Sequence, residues 1–185
     1  MSPISLKRSM SILSNTTDSN LVAVSLGSNL PHLNRSPREI VLAAIQSLRS
    51  ISIEAEASSL YLSEPIDCPL GTGDFINAAM ILRLSSKISA SELLAVLQGI
   101  EADYDRARSA EQNQARTLDI DIISYGNQVL ESAHLILPHP RAAQRRFVLM
   151  PLVEIHPEMV LPGQSENIAQ LLDLLPRIEN VHLLA

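Results

Sequence analysis

Two aspartates inside a hydrophobic run constrain this chain more than any other feature. In residues 116–123 (RTLDIDII), Asp119 and Asp121 alternate with apolar residues, which is the period-2 pattern of a half-buried β-strand. Both carboxylates therefore point to the same face of that strand. Their Cα atoms lie roughly 6.5 Å apart at strand spacing, so the two negative charges repel each other unless water or a cation lies between them.

Two interpretations of this acidic pair remain open from its pattern alone. An isolated Asp-x-Asp more often belongs to a solvated strand face. The alternative is a magnesium site, because Mg²⁺ prefers carboxylate oxygens and completes its shell with water and substrate phosphates. Arg116 has two interpretations as well, since it lies three residues before Asp119 and can contact a phosphate or form a salt bridge to an aspartate.

The arginines of this chain are concentrated in one region of an acidic sequence. The net charge of −6 argues against a nucleic-acid surface. Six of the fourteen Lys and Arg residues nevertheless fall between positions 106 and 146, namely Arg106, Arg108, Arg116, Arg141, Arg145 and Arg146. A local phosphate-binding patch is therefore compatible with the acidic total.

Length and composition indicate one domain with a substantial core. The chain has 185 residues, of which 46% are hydrophobic. Its single cysteine, Cys68, excludes an internal disulfide, and no apolar run is long enough for a transmembrane helix. We expect a cytoplasmic protein without a membrane partner. Residues 1–20 are expected to form a disordered tail, with an organellar transit peptide as a minor alternative, and residues 21–185 to form the domain.

The order of predicted elements indicates an α+β fold. Strands are predicted over residues 21–26, 51–62, 75–84 and 118–123, and helices after the capping boxes at Ser36 and Ser89 and near residues 147–155 and 166–175. Gly126-Asn127 predicts a hairpin turn from the acidic strand into Val129-Leu130. The resulting βαββαβ order predicts an antiparallel sheet with helices packed on one face.

Six motifs in order resemble the 6-hydroxymethyl-7,8-dihydropterin pyrophosphokinase (2-amino-4-hydroxy-6-hydroxymethyldihydropteridine diphosphokinase) family. They are LGSNL at 26–30, YLSEPI at 61–66, FINAA at 75–79, RTLDID at 116–121, PHPR at 138–141 and RRFVL at 145–149. The resemblance covers about residues 21–176. It implies a ferredoxin-like antiparallel sheet with helices packed on it. It also implies transfer of pyrophosphate from ATP to 6-hydroxymethyl-7,8-dihydropterin in folate biosynthesis, with AMP as the second product.

The resemblance also implies roles for individual residues. It makes Asp119 and Asp121 the ligands of two Mg²⁺ ions that bind with ATP, and Arg106 and Arg116 catalytic residues together with these aspartates. It assigns ATP binding to Glu101, Arg108, His139 and Arg145, and pterin binding to Ser63, Glu64, Pro65, Ile66, Phe75, Asn77 and Phe147. The structural alternatives are a structural histidine at position 139, solvated charge at Arg106 and Arg108, and core packing for Phe75 and Phe147.

One loop departs from the family pattern and keeps rival functions open. The family usually has a basic residue, any residue, Gly, Pro and Arg before the acidic strand, whereas this chain has Gln112-Asn113-Gln114-Ala115-Arg116. The loss of a charge, a glycine and a proline predicts weaker ATP binding. The family often has an aromatic residue where this chain has Asn113, which predicts looser packing of the lid over the substrates.

The first rival is a non-enzymatic member that binds pterin, a nucleotide or a partner without turnover. The second is a nucleotidyltransferase, which would release pyrophosphate instead of AMP. A P-loop kinase is excluded because the sequence has no Gly-x-x-x-x-Gly-Lys. We expect a monomer that binds ATP and the pterin but no nucleic acid.

Overall fold

A computed structural model describes residues 19–85, 88–104 and 115–184 of the chain. The strands are β1 Leu21–Ser28, β2 Glu54–Ala57, β3 Tyr61–Ser63, β4 Phe75–Arg83, β5 Asp119–Tyr125, β6 Leu130–Glu131, β7 Ile136–Leu137 and β8 Val181–Leu183. The helices are α1 Pro37–Ile51, α2 Ala90–Ala102, α3 Arg146–Ile155 and α4 Ile168–Leu174. No helix in these described ranges is both long enough and apolar enough to cross a bilayer.

The main sheet is antiparallel and has β1 between β5 and β4. Its strands follow the order β5-β1-β4-β3-β8, and β2 also pairs with β4. A chain order of βαββαβ with the first strand between the last and the third is the ferredoxin-like arrangement. The predicted fold class is therefore confirmed.

The first two helices begin where the capping boxes predict. The Ser36 side chain accepts the backbone N–H of Glu39, and the Glu39 carboxylate accepts the backbone N–H of Ser36. Ser89 and Glu92 repeat this exchange at the start of α2. Each box satisfies two backbone donors that a helix leaves unpaired at its N-terminus. Helix α1 buries the five predicted residues: Ile40, Val41, Ala44, Ile45 and Leu48.

Helices cover both faces of the sheet, so the prediction of helices on one face was wrong. In β1, Val22 and Val24 belong to the hydrophobic cluster formed with α1 and α2. Leu21 and Ala23 belong to a second cluster formed with α3 and α4. A strand covered on both faces has apolar residues in an unbroken run, and residues 21–24 are such a run.

Two strand predictions also differ from the structure. The strand predicted over 51–62 is divided into β2 and β3 because residues 58–60 leave the ladder. There the Ser58 hydroxyl accepts the backbone N–H of Ala79 at 2.9 Å in place of a backbone carbonyl. The turn at Gly126 forms, with φ of +49°, but the strand after it, β6, pairs with β7. The predicted hairpin between β5 and residues 129–130 was therefore wrong.

Candidate active site

The register of three strands places the acidic pair and the predicted pterin residues on one sheet face. Gly27 of β1 pairs with Asp119 of β5 on one side and with Asn77 of β4 on the other. Ser25 pairs with Asp121 in the next row. Two strand spacings put the Cα atoms of Asp119 and Asn77 about 9.5 Å apart.

A cavity of about 850 Å³ opens over this face of the sheet. The predicted site residues that line it are Arg116, Asp119, Asp121, Glu101, His139, Arg145, Ser63, Glu64, Ile66, Phe75, Asn77 and Phe147. Pro65 belongs to the same segment but does not line the cavity. Arg106 and Arg108 lie outside the described residues. The structure therefore brings together the two predicted halves of the site, apart from these three positions.

Arg116 pairs with Asp119 at the acidic end of the cavity. Its Nη1 donates to Asp119 Oδ2, so the salt bridge that the sequence left open is present. The Arg116 backbone is held independently, because its N–H donates to Asn29 Oδ1 at 2.7 Å and its carbonyl accepts the backbone N–H of Asn29 at 3.1 Å. The guanidinium can therefore change its partner without displacement of the main chain.

The acidic pair has the chemistry of a magnesium site. The side chains of Asp119 and Asp121 are 20% and 41% exposed, and both face the cavity. No group of three or more His, Cys, Asp or Glu side chains within the described ranges could hold a metal ion. Mg²⁺ is usually bound by one or two carboxylates together with water and substrate phosphates. Two carboxylates in an open cavity fit that coordination.

His139 is a neutral hydrogen-bonding group beside Asp121. Burial, followed by the nearby charges of Arg145 and Arg141, lowers its pKa to about 4. Its Nδ1 accepts the backbone N–H of Arg141 at 3.2 Å, which places the ring proton on Nε2. That atom lies 3.9 Å from Asp121 Oδ2. His139 therefore offers a donor to the cavity without adding a charge.

Arg145 connects the charged end of the cavity to the aromatic end. Its guanidinium carbon lies 5.3 Å from the centroid of the Phe147 ring, in cation–π geometry. Burial and the neighbouring Arg141 lower the pKa of Arg145, although an arginine remains charged in proteins. Phe147 also packs partly against the core cluster under α3, so it combines the core role and the cavity role that the sequence kept as alternatives.

Asn77 is a fixed polar group at the aromatic end. Its Nδ2 donates to the Ser63 hydroxyl at 2.9 Å and to the Phe75 carbonyl at 3.3 Å. Because a carbonyl can only accept, these bonds fix the orientation of the amide, and Oδ1 lies over Gly27. A Cβ at Gly27 would lie 3.5 Å from that oxygen. Gly27 thus leaves space above the sheet next to an acceptor oxygen whose orientation is fixed.

Glu101 lies at the bottom of the cavity rather than at its surface. It is only 2% exposed, and its Oε1 accepts the backbone N–H of Ile120 at 2.8 Å. Ile120 is the residue between the two aspartates. The contact that the structure gives Glu101 is therefore support of β5, and its binding of ATP stays a prediction.

Comparison with known proteins identifies the family. Residues 23–157 match the family model described as 7,8-dihydro-6-hydroxymethylpterin-pyrophosphokinase. The chain belongs to this pyrophosphokinase family.

Relatives agree with this membership, and a solved structure shares the fold. A Synechocystis 2-amino-4-hydroxy-6-hydroxymethyldihydropteridine pyrophosphokinase is 40% identical over 155 residues, which cover 81% of this chain and 73% of the relative. The Haemophilus influenzae protein of the same name is 35% identical over 144 residues, which cover 77% of this chain and 85% of the relative. A crystal structure of a Plasmodium falciparum HPPK-DHPS triple mutant shares the fold, with a TM-score of 0.62 at 16% identity over 88% of this chain. This chain covers 45% of that longer protein.

Some contacts in and near this cavity could not be found from sequence. Asn29 belongs to the LGSNL motif, but only the structure shows that it holds Arg116. Glu154 of α3 accepts the Ser59 backbone N–H and the Tyr61 hydroxyl. Glu179 lines the cavity although it lies beyond the residues that match the family model. Neither glutamate belongs to a motif, so no local signal marks them.

Proposed function

We propose that this chain transfers the pyrophosphoryl group of ATP to 6-hydroxymethyl-7,8-dihydropterin, giving the pterin diphosphate and AMP for folate biosynthesis. One observation carries the proposal: the acidic pair and the pterin-type pocket share one sheet face and one cavity. Membership of the pyrophosphokinase family supports the same reaction. In this reaction the hydroxymethyl oxygen bonds to the β-phosphorus as the bond to the oxygen retained by AMP breaks, and the hydroxyl proton is released.

The phosphates of ATP would lie at the end of the cavity that contains Asp119 and Asp121. We propose that the two carboxylates hold two Mg²⁺ ions together with the phosphates. When bound, Mg²⁺ neutralises and orients the phosphate oxygens. The Arg116 guanidinium would move from Asp119 to a phosphate oxygen, while the bonds to Asn29 keep its main chain in place. Arg145 supplies a second guanidinium, and His139 donates from Nε2 as a neutral group.

The pterin would occupy the other end, between the positions of Phe75 and Phe147. Two aromatic side chains suit a flat ring, and a few fixed polar groups set its orientation. Asn77 Oδ1 would accept a hydrogen bond from an N–H of the ring, since Nδ2 is already committed. The backbone of residues 63–66 would contact the edge of the ring. The sheet then holds the hydroxymethyl group and the phosphates at a fixed separation, which is the main requirement of phosphoryl-type transfer.

We also propose that the chain acts as a monomer in the cytoplasm. The support for a monomer is that a single chain supplies both the acidic pair and the predicted pterin residues. The support for the compartment is that Cys68, the only cysteine in the sequence, cannot form an internal disulfide.

Product analysis tests the proposed reaction against both rivals. Purified chain is incubated with ATP, Mg²⁺ and 6-hydroxymethyl-7,8-dihydropterin, and the products are identified by mass spectrometry. AMP and the pterin diphosphate in equal amounts are expected. Release of pyrophosphate would favour a nucleotidyltransferase, and pterin binding without any product would favour a non-enzymatic member.

A further inference from the structure

The residues before β8 contact both sides of the proposed pterin pocket. Glu179 Oε2 accepts the backbone N–H of Arg146 at 2.9 Å, at the start of α3 and next to Phe147. Asn180 Nδ2 donates to Glu64 Oε1 at 3.1 Å, and its backbone carbonyl accepts the N–H of Glu64 at 3.4 Å. Two consecutive residues thus hold two separate sides of the same pocket.

The contact of Glu179 supplies a cap that α3 lacks. Arg145, the N-cap residue of α3, makes no side-chain capping hydrogen bond. The first backbone donors of a helix need an acceptor, and a negative charge is favourable there because of the helix dipole. Glu179 meets both requirements from a distant part of the chain. It therefore fixes the first turn of α3, which carries Phe147.

The contacts of Asn180 extend the pairing of β8 with β3. Val181 pairs with Ser63 at the end of that ladder, and the bonds between Asn180 and Glu64 continue it by one residue. Residues 64–66 lie beyond the end of β3, so these bonds hold the segment where it leaves the sheet. Consecutive Cα atoms lie about 3.8 Å apart, so the backbone between Glu179 and Asn180 sets the relative position of the two sides.

Resting on the proposed function, we infer that Glu179 and Asn180 are positioning residues for the pterin. They keep the start of α3 and residues 63–66 at the separation that the ring requires. Neither residue belongs to a sequence motif, and both lie outside residues 23–157, which match the family model. Their role is thus additional to the residues that the family resemblance supplies.

Matched variants of the full chain separate positioning from direct binding. Glu179→Ala removes the acceptor for Arg146, whereas Glu179→Gln keeps an acceptor oxygen. We expect the pterin KM to rise about three- to tenfold in Glu179→Ala, as loss of one hydrogen bond allows. It should rise less in Glu179→Gln, which keeps the acceptor oxygen but loses the negative charge. Asn180→Asp should raise the pterin KM more than Asn180→Ala, because an aspartate there repels Glu64. The KM for ATP should be unchanged in all four.

Asn167→Ala is the control for general destabilisation. Asn167 caps α4 and does not line the cavity, so this variant should melt at a lower temperature with an unchanged pterin KM. A raised pterin KM in Asn167→Ala would overturn the inference, as would unchanged values in both Glu179→Ala and Asn180→Ala. An equal rise of the pterin KM in Glu179→Gln and Glu179→Ala would mean that the acceptor oxygen for Arg146 does not matter, and would overturn the positioning role of Glu179.

The failure of the inference is distinguishable from the failure of the proposed function. Absence of AMP formation by the unaltered chain would refute the proposed reaction alone. The dissociation constant of the pterin, measured by titration calorimetry with Mg²⁺ and a non-hydrolysable ATP analogue, tests the positioning role without turnover. A constant that is equal in wild type and both alanine variants would overturn the inference.

Discussion

Replacement of Arg116 by alanine tests the charge arrangement at the acidic end of the cavity. The variant removes the guanidinium that donates to Asp119. It leaves the main-chain bonds to Asn29 in place, so the fold is expected to remain intact. Any change in turnover or stability can then be attributed to the lost guanidinium, with its charge and its hydrogen bonds.

The expected loss of stability follows from the repulsion between Asp119 and Asp121. At roughly 6.5 Å, two like charges repel by about 0.6 kcal/mol in water and about 2.6 kcal/mol at an effective dielectric constant of about 20. The two side chains are partly exposed, so we expect Arg116→Ala to lose about 1–2 kcal/mol. That corresponds to a decrease of about 3–6 °C in Tm for a chain of this length. Added Mg²⁺ should narrow the difference in Tm between wild type and Arg116→Ala, because it replaces the missing positive charge.

The effect on turnover should be larger than the effect on stability. If Arg116 stabilises charge on the transferring phosphates, its loss lowers kcat by about 10²–10³-fold, as for other preorganised donors. The kcat of Arg116→Lys should lie between those of wild type and Arg116→Ala, since lysine keeps the charge but not the planar fork. Steady-state rates of AMP formation and thermal melting with and without Mg²⁺ provide both measurements. Arg38→Ala removes an exposed arginine that does not line the cavity and serves as the control.

Two results would refute this reasoning. A raised KM for ATP with an unchanged kcat would mean that Arg116 binds the nucleotide without stabilising the transition state. A Tm difference that Mg²⁺ does not narrow would mean that the acidic pair does not hold the metal.

Three further predictions follow from the same site. Asp119→Asn and Asp121→Asn should each reduce turnover to near background and abolish the Mg²⁺-dependent rise in Tm, and wild-type rates in either would exclude a metal site at this pair. The pterin should bind more tightly in the presence of Mg²⁺ and a non-hydrolysable ATP analogue, and the coupling must be reciprocal; equal affinities by titration calorimetry would contradict a shared site. Burial, Arg145 and Arg141 lower the pKa of His139 from 6.5 to about 4, so below about pH 6.5 the unfolded chain binds a proton that the folded chain does not bind until about pH 4. The free energy of unfolding should therefore fall as the pH decreases from about 6.5 to about 4, by about 1–2 kcal/mol after discounting for partial exposure. Urea unfolding at several pH values measures it. A difference in the free energy of unfolding between wild type and His139→Gln that does not change with pH would refute this.

The sequence predicted local structure well where the signal is local. Capping boxes at Ser36 and Ser89 depend on residues three positions apart, and both helices begin there. The alternation around Asp119 and Asp121 likewise needs only neighbours. The number of covered sheet faces depends instead on where α3 and α4 pack, which is a long-range property. The unbroken apolar run of residues 21–24 was the available signal for the second covered face.

The site was predictable to the extent that motifs carry it. The motifs marked Arg116, His139 and Phe147, which line one cavity, whereas contacts between distant residues carried no signal in the sequence. Glu154 lies 95 residues from Ser59, and Asn180 lies 116 residues from Glu64. No pattern within a short window can report such pairs. The proposed metal ions, the assignment of each substrate to its end of the cavity and the roles of Arg106 and Arg108 stay predictions.

The pairing of Gly27 with both Asp119 and Asn77 has a consequence for how this enzyme can change during evolution. The proposed phosphate end and the proposed pterin end of the cavity are two inter-strand spacings apart, and hydrogen bonds of the backbone fix each spacing at about 4.8 Å. Substitutions outside these three strands can alter the affinity for a substrate without altering this distance. A one-residue slip between β1 and either neighbour would instead turn one half of the site to the opposite face of the sheet. Selection can therefore tolerate many loop sequences but only one register.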